Sequence, residues 1–587
     1  MSQTLGAAGA GRNPLAAALA GCRGALIGVA AFSCIGNVLM LTGSLYMMEV
    51  YDRVLPSRSI PTLIGLSVLA LLLFGFQGVF DAMRARLLVR IAAVLDGEVA
   101  ERVFSAMLRM KRQSGARSDG MLAVRDLDAA RGFISGPGPG ALFDLPWMPL
   151  YLAVCFAFHF WLGMTAVAGA CILLVITIAT DRLSRAPVTA ATQASAARAR
   201  VAEAAHRNAE VLGAMAMEGP VRRQWFARHR EMMGAQARSA DIAGGLGAAG
   251  RVLRMVLQSS LLCVGALLVI RQEASAGIII AGSIIGGRAL APVDSAIANW
   301  RGFIAARQSW GRLGRLLDQK VGDEARTLLP PPHKGLRVEA ASAIPPGGDK
   351  SVLMDVDLAL VAGNGLGVIG PSASGKSSLA RMLVGIWRPV RGAVRLDGAE
   401  LSQWAPEELG KHIGYLPQDV ELFAGTIAEN IARFDEDATD TAVIAAARAA
   451  RVHEMIVGLP NGYETELGDA GMLLSAGQRQ RIALARALYG EPFLVVLDEP
   501  NSNLDSDGEA ALTQAIADIR ARGSIAVVIA HRPSALAGVD LVLVMQQGRA
   551  LAFGPKDEVL AKVLRRENAP GNPVALKPMA LAGKGNG

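Results

Sequence analysis

The chain has 587 residues, 52% of them apolar and 19% charged, and carries a net charge of +8. With glycine counted, the apolar share is roughly 62%, against about 45–50% for soluble domains. This composition excludes a disordered chain, a disulfide scaffold and a purely soluble enzyme, and it indicates a membrane protein. The charge is no nucleic-acid footprint, because it divides unevenly along the chain. Residues 1–330 hold 34 Lys and Arg against 21 Asp and Glu, and the remainder holds 25 against 30. The basic part is also the apolar part. Five cysteines (Cys22, Cys34, Cys155, Cys171 and Cys263) lie in or beside apolar stretches. An odd number without a C-x-x-C pair argues against a disulfide framework and against zinc.

A membrane-crossing helix needs about 20 apolar residues. Gly24–Met48 and Ser59–Phe80 contain no charge, and each reads as one span. Leu145–Thr180 is uncharged and is interrupted by His159, Trp161 and Gly163, which fits two spans joined by a tight turn. Val252–Ile270 and Ala274–Asn299 are weaker stretches split at Arg271-Gln272-Glu273, and they read as a hairpin. Its second arm carries Arg288 and Asp294, which either line a path or pair with each other. Six spans result.

Orientation follows from the basic residues of the connections. The 81–143 loop holds ten Lys and Arg and the 181–251 loop eleven, whereas the other connections are nearly free of them. Both long loops, the N-terminus and everything after residue 300 are therefore expected in the cytoplasm. The first span is too long, and lacks a small-residue cleavage site, for a signal peptide. The long loops keep a helical period, so they read as continuations of the membrane helices. Twenty added residues would project about 30 Å. Residues 1–20 read as a flexible tail and 21–320 as the membrane domain.

A linker at 321–335 includes Leu329-Pro330-Pro331-Pro332, and beyond it short β-rich runs alternate with helical patterns. That alternation predicts an α/β domain over 336–561. The Pro- and Gly-rich stretch 562–587 reads as disordered. Leu366–Gly370 leads into Pro-Ser372-Ala-Ser374-Gly375-Lys376-Ser377-Ser378, a G-x4-G-K-S loop between a strand and a helix. Such a loop turns backbone amides and a helix N-terminus toward the phosphates of ATP. Gly370, Ser372, Ser374, Gly375, Lys376, Ser377 and Ser378 are the expected ATP contacts, with Ser377 also on Mg²⁺. Downstream, Phe493–Leu497 is a buried-strand run ending in Asp498-Glu499. Asp498 is placed to hold the metal, and Glu499 to polarise water beside the γ-phosphate. A further strand, Ser524–Ala530, ends at His531.

Between these motifs stand Leu474-Ser475-Ala476-Gly477-Gln478-Arg479-Gln480-Arg481 and, earlier, Leu416-Pro417-Gln418, which resemble the signature and Q-loop of ABC transporters. The resemblance implies a multi-domain membrane protein: an all-α, six-helix, ABC exporter-type transmembrane domain joined to an α/β P-loop NTPase domain. It implies that Gln418 helps bind Mg²⁺ and senses the γ-phosphate, and that His531 is the switch histidine. Ser475, Gly477 and Gln478 would cap ATP bound to the opposite subunit of a homodimer. Asn501–Asp505 matches the D-loop, and Thr465–Gly471 the loop that meets the membrane helices. Departures are Ala476 for the usual Gly, Asn501 and Asn503 in the D-loop, and Asp469 where exporters usually carry Glu. The aromatic expected to stack on adenine is missing near Ile344-Pro345-Pro346.

The membrane half narrows the resemblance. Leu45–Ser59 with its Tyr51-Asp52-Arg53, Phe143–Pro149, and Arg288–Pro292 followed by Asn299-Trp300-Arg301 resemble the ABC component of type I secretion systems. The similarity is greatest to the branch that exports metalloproteases and other repeats-in-toxin proteins. The first span begins too early in this sequence to hold the N-terminal peptidase-like domain of the haemolysin or bacteriocin branches, so neither that domain nor precursor cleavage is expected. The implied partners are a periplasmic membrane-fusion adaptor, an outer-membrane channel, a secreted protein cargo and the lipid bilayer of the bacterial inner membrane, with no nucleic acid. Tyr51, Asp52, Arg53 and Arg58 stand either at the cargo exit or in a helix-end ion-pair cluster. A lipid, peptide or drug exporter without an adaptor is the alternative.

Overall fold

The computed structural model describes residues 14–114, 121–318, 329–468, 474–530 and 536–567. Two compact units divide the chain, one holding residues 1–109 and 119–320 and the other 110–118 and 321–587.

The first unit is helical. It comprises α1 (Pro14–Gly21), α2 (Arg23–Leu39), α3 (Thr42–Glu49), α4 (Ile60–Ser114), α5 (Met121–Ser135), α6 (Gly138–Asp144), α7 (Met148–Phe158), α8 (Phe160–Arg207), α9 (Glu218–Ile270) and α10 (Ala276–Leu317). Among the described residues, six helical stretches are long and apolar enough to cross a membrane. The chain is a multi-pass membrane protein. At 1.5 Å per residue, the 55 residues of α4 extend about 80 Å, far beyond a hydrocarbon core of about 30 Å. Helices α8 and α9, with 48 and 53 residues, overrun it similarly.

The breaks fall at the polar interruptions. At His159 the backbone turns extended (φ −166°, ψ 143°), and the ring Nδ1 accepts from Trp161 N at 3.3 Å, capping α8. The 271–275 turn ends at Ser275, whose hydroxyl accepts from Ile278 N and caps α10. Asp52 completes that cap from a distance: it accepts from Gly277 N at 2.8 Å and from the Ser275 hydroxyl at 2.5 Å. Around it, Val50–Val54 is a single π-turn, Arg53 pairs with Glu49 at 3.7 Å, and Arg58 is left-handed at φ 48°.

Three expectations need correction. Residues 14–20, read as part of a loose tail, lie in α1, and Leu15 and Ala18 bury against Leu95, Val99, Leu127 and Leu313. Arg288 and Asp294 do not pair. They lie six residues apart on one helix, which separates their side chains by about 120°, and Asp294 pairs instead with Arg254 of α9 at 2.9 Å. At the other end, the final helix runs to Glu567, past the expected boundary at residue 562.

The second unit is α/β. Strands β1 (Gly335–Ala343), β2 (Leu353–Val361) and β4 (Arg391–Leu396) form an antiparallel sheet in the order β2-β1-β4, extended by Ala399–Glu400. The main sheet contains β3 (Gly365–Ile369), β5 (Ile413–Leu416), β6 (Leu494–Asp498), β7 (Ile525–Ile529), β8 (Leu541–Gln546) and β9 (Arg549–Pro555), in the order β9-β8-β3-β7-β6-β5. Every pairing is parallel except β8–β9. All five residues of β6 and of β7 are buried, as continuous apolar strands covered on both faces should be. Its helices include α11 (Lys376–Leu383), α12 (Ala476–Leu488), α13 (Ser506–Ala521) and α14 (Lys556–Glu567).

Candidate active site

In-register pairing brings several of the expected residues to one edge of the main sheet. Val368 of β3 pairs with Ile529 of β7, Ile529 with Asp498 of β6, and Leu497 with Leu416 of β5. The phosphate loop after β3, Asp498-Glu499 after β6 and Gln418 after β5 therefore leave the sheet at the same carboxyl ends, where α/β sheets bind ligands. Gln418 is exposed. His531 follows β7 by two residues and lies outside the described residues, as does Asp469.

The phosphate loop is built on left-handed backbone. Gly370 (φ 151°) passes so close to the next strand that a Cβ would sit 2.2 Å from Met545 O, and Gly375 (φ 99°) precedes α11. Ala373, at φ 61°, is the residue that composition and motif did not single out. An alanine there bears a left-handed penalty of about 1–2 kcal/mol that glycine escapes, less the extra chain entropy glycine loses. Ala373→Gly should therefore raise the nucleotide domain's unfolding free energy by up to about 1 kcal/mol. A thermal-unfolding midpoint that falls would contradict this.

Lys376 is 5% exposed and donates from Nζ to the carbonyls of Gly370 and Pro371, both at 2.9 Å. Burial holds its pKa below the usual lysine range, against the attraction of Glu499 and Asp498. Asp498 is 1% exposed. Burial pushes its carboxyl up, opposed by the Ser377 hydroxyl, which donates to Oδ1 at 3.2 Å. Its Oδ2 is buried and has no hydrogen-bond partner among the described residues. A hydroxyl beside an under-satisfied carboxylate, at the mouth of a phosphate loop, is the donor set that Mg²⁺ uses when phosphates and water supply its other ligands. The residues fit that ion.

Glu499 takes up a left-handed turn (φ 52°), its N–H tied to Ile529 O at 3.0 Å. Gln480 of α12 pins the 499–503 segment. Its amide donates to Pro500 O at 2.6 Å and Glu499 O at 3.2 Å, and its oxygen accepts from Asn503 N at 3.1 Å. The sequence places Gln480 inside the signature stretch but assigns it no role. Asn501 is 4% exposed, and its Nδ2 has no partner among the described residues.

Ser475 is the N-cap of α12. It shares a capping box with Gln478: Gln478 N donates to Ser475 Oγ at 3.2 Å, and Ser475 N to Gln478 Oε1 at 2.9 Å. Two side chains expected on phosphate are thus engaged with each other here. The first-turn amides of Ala476 and Gly477 have no acceptor within the helix, and the helix dipole favours an anion before them. At Gly477 a Cβ would meet Asn503 O at 2.8 Å, so the signature helix sits directly on its own D-loop. The signature and the phosphate loop are not brought together. Ile482 and Leu484 of α12 pack with Val495 and Leu497, whereas Leu379 and Met382 of α11 pack with Leu494 and Val496. Alternate residues of β6 face opposite sides of the sheet, so the two helices lie on opposite faces.

Comparison with known proteins covers both units. The ABC transporter family matches residues 353–502, and the ABC transporter transmembrane region matches residues 26–285. The chain is 57% identical to the type I secretion system ATP-binding protein PrsD of Rhizobium meliloti, over 95% of this chain and 97% of the relative. It is 29% identical to the cyclolysin secretion/processing ATP-binding protein CyaB of Bordetella pertussis, over 91% of this chain and 76% of that one. Among solved structures, a bacterial Atm1-family ABC exporter with ATP bound matches with a TM-score of 0.80 at 22% identity, covering 94% of this chain and 99% of that one. That structural match speaks for the fold.

Proposed function

The chain belongs to the ABC transporters of type I secretion, and from that premise we propose that it works as a homodimer in the bacterial inner membrane. There it spends ATP to export an unfolded protein bearing a C-terminal signal. A periplasmic membrane-fusion adaptor and an outer-membrane channel would take the cargo onward. The observation that carries this reading is the union, in one chain, of six membrane-crossing helices and an ATP-binding ABC domain, matched over nearly its whole length by a secretion ATPase.

The separation of α11 and α12 supports the homodimer. A signature on the face of the sheet away from its own phosphate loop leaves Ser475, Gly477 and Gln478 to serve ATP held by the second copy. On the bound nucleotide, the 370–378 loop cradles the phosphates and Lys376 takes their β- and γ-oxygens. Mg²⁺ would be held by Ser377, Asp498 and Gln418, and supplies charge neutralisation at the phosphates. Glu499 accepts a proton from the attacking water, and His531 contacts the γ-phosphate. Closing two nucleotide domains on shared ATP and parting them after hydrolysis moves the long helices that cross the membrane. A membrane domain reaching back to Pro14 and a nucleotide domain running on to Glu567 serve this division of labour.

The test is ATP hydrolysis by the full-length protein in lipid nanodiscs, titrated with a C-terminal peptide from a protein encoded beside its gene. Stimulation by the peptide, with co-purification of an adaptor, supports export. Stimulation by lipids or drugs but never by such a peptide makes it an exporter that needs no adaptor.

A further inference from the structure

The membrane-crossing helices differ in what they show to the outside. Large hydrophobic side chains stand exposed on α2 (Ile27), α4 (Leu71, Leu72), α7 (Phe156), α8 (Val175) and α9 (Met255). Helix α10 exposes none among the described residues. It is also the most buried span, with 56% of its apolar window inside against 6% for α4. Its exposed positions near the membrane are Arg288, Ser295, Ala298, Arg301 and Gly302. Arg288, Ser295 and Gly302 recur every seven residues, which keeps them on one side of the helix. That side is polar and small where the other spans are greasy.

Arg288 lies twelve residues into α10, about 18 Å from the N-terminal end of the helix, and so within the thickness of a hydrocarbon core. Its Nη1 is 4.0 Å from the Met40 sulfur, and among the described residues no carboxylate lies within ion-pair reach. Asp294, the acid on its own helix, is taken by Arg254. A lipid-facing guanidinium at this depth is costly, so intramembrane cations face water or a partner. If this face of α10 met itself across a two-fold axis, arginine would stand against arginine, since arginines are its only charged groups.

We propose that this face of α10 borders a hydrated passage and that Arg288 makes the passage selective for anionic stretches of extended polypeptide. The proposal rests on the export reading above. Asp or Glu side chains of a passing chain offer the carboxylate that Arg288 lacks, whereas Lys and Arg meet like charge.

Two reporter cargoes of equal length, sharing one C-terminal signal, test it. They differ only in a central segment rich in Asp and Glu or in Lys and Arg. Export is normalised to the transporter present in the membrane. The wild type should pass the acidic reporter about fivefold faster, the scale of one hydrated charge pair. Arg288→Lys should keep that preference, Arg288→Gln should lose it and Arg288→Glu should reverse it. If both reporters move at a ratio that Arg288→Gln leaves unchanged, the proposal fails while export stands. If the wild type moves neither, the export reading fails and takes the proposal with it. Hydration is read without cargo, in a background lacking the five native cysteines. Ser295→Cys should react with a membrane-impermeant thiol reagent and Leu72→Cys should not; an unreactive Ser295→Cys overturns the hydrated face.

Discussion

Glu499→Gln is expected to bind ATP as the wild type does and to hold the two nucleotide domains together, while hydrolysis falls by at least about a hundredfold. A positioned general base contributes about 10²–10⁴ in rate, and the amide that replaces it cannot accept the proton of the attacking water. The surroundings of Glu499 favour a clean result. Its N–H is held by Ile529 O and its carbonyl by Gln480, so the left-handed turn that aims the side chain rests on backbone contacts that an isosteric change leaves alone. The variant should separate from Lys376→Ala, which removes the cation from the phosphate loop and should weaken nucleotide binding itself. Fluorescent-nucleotide binding and phosphate release on the same preparation distinguish the two. Hydrolysis within tenfold of wild type would remove Glu499 from its assigned role.

How far such roles are legible in the sequence depends on the range of the interaction behind them. The phosphate loop is read from eight consecutive residues because a strand, a turn and a helix N-terminus are all local, and the parallel register then carries Asp498 and Gln418 to the same edge. Apolar length is likewise local, so the six spans and their polar interruptions at His159 and at 271–273 were visible. Rotational phase between distant helices was not. Asp52 caps α10 across 225 residues, and no spacing rule links a π-turn in one hairpin to the first turn of another helix. Asp294 chose Arg254 over Arg288 because the partner's direction around the helix matters more than its nearness in sequence. Helix α1 was missed for a similar reason. Its Ala/Gly-rich composition resembles a tail, and only the groove formed by α4, α5 and α10 makes Leu15 a core residue. The signature serine was identified, yet its capping box with Gln478 is a contact that the family resemblance alone did not suggest.

The same long-range logic locates the residue whose loss should most weaken the membrane unit. Asp126 of α5 has a side chain only 6% exposed, and it receives three donors: Arg312 Nε at 2.8 Å, Arg312 Nη2 at 2.6 Å and the Ser309 hydroxyl at 2.8 Å. Fork and carboxylate meet in two bonds, the geometry that favours arginine over lysine. Beside them, Leu127 of α5 and Leu313 of α10 belong to the core shared with α1 and α4. Asp126→Ala would leave the Arg312 guanidinium, 30% exposed, without its carboxylate and with only the Ser309 hydroxyl, 3.2 Å away, to accept from it. Breaking a buried pair from one side costs about 3–5 kcal/mol, and the partial exposure of Arg312 places the expected loss near the lower figure. Removing both charges is a different matter, since apolar replacements of a buried pair are often neutral. Asp126→Leu with Arg312→Met should therefore recover most of the stability that either single change loses. The coupling of the two sites in a double-mutant cycle should be of order 2 kcal/mol, read from thermal unfolding of the purified protein in detergent. If the single and double changes add without coupling, the clamp between α5 and α10 is packing rather than charge.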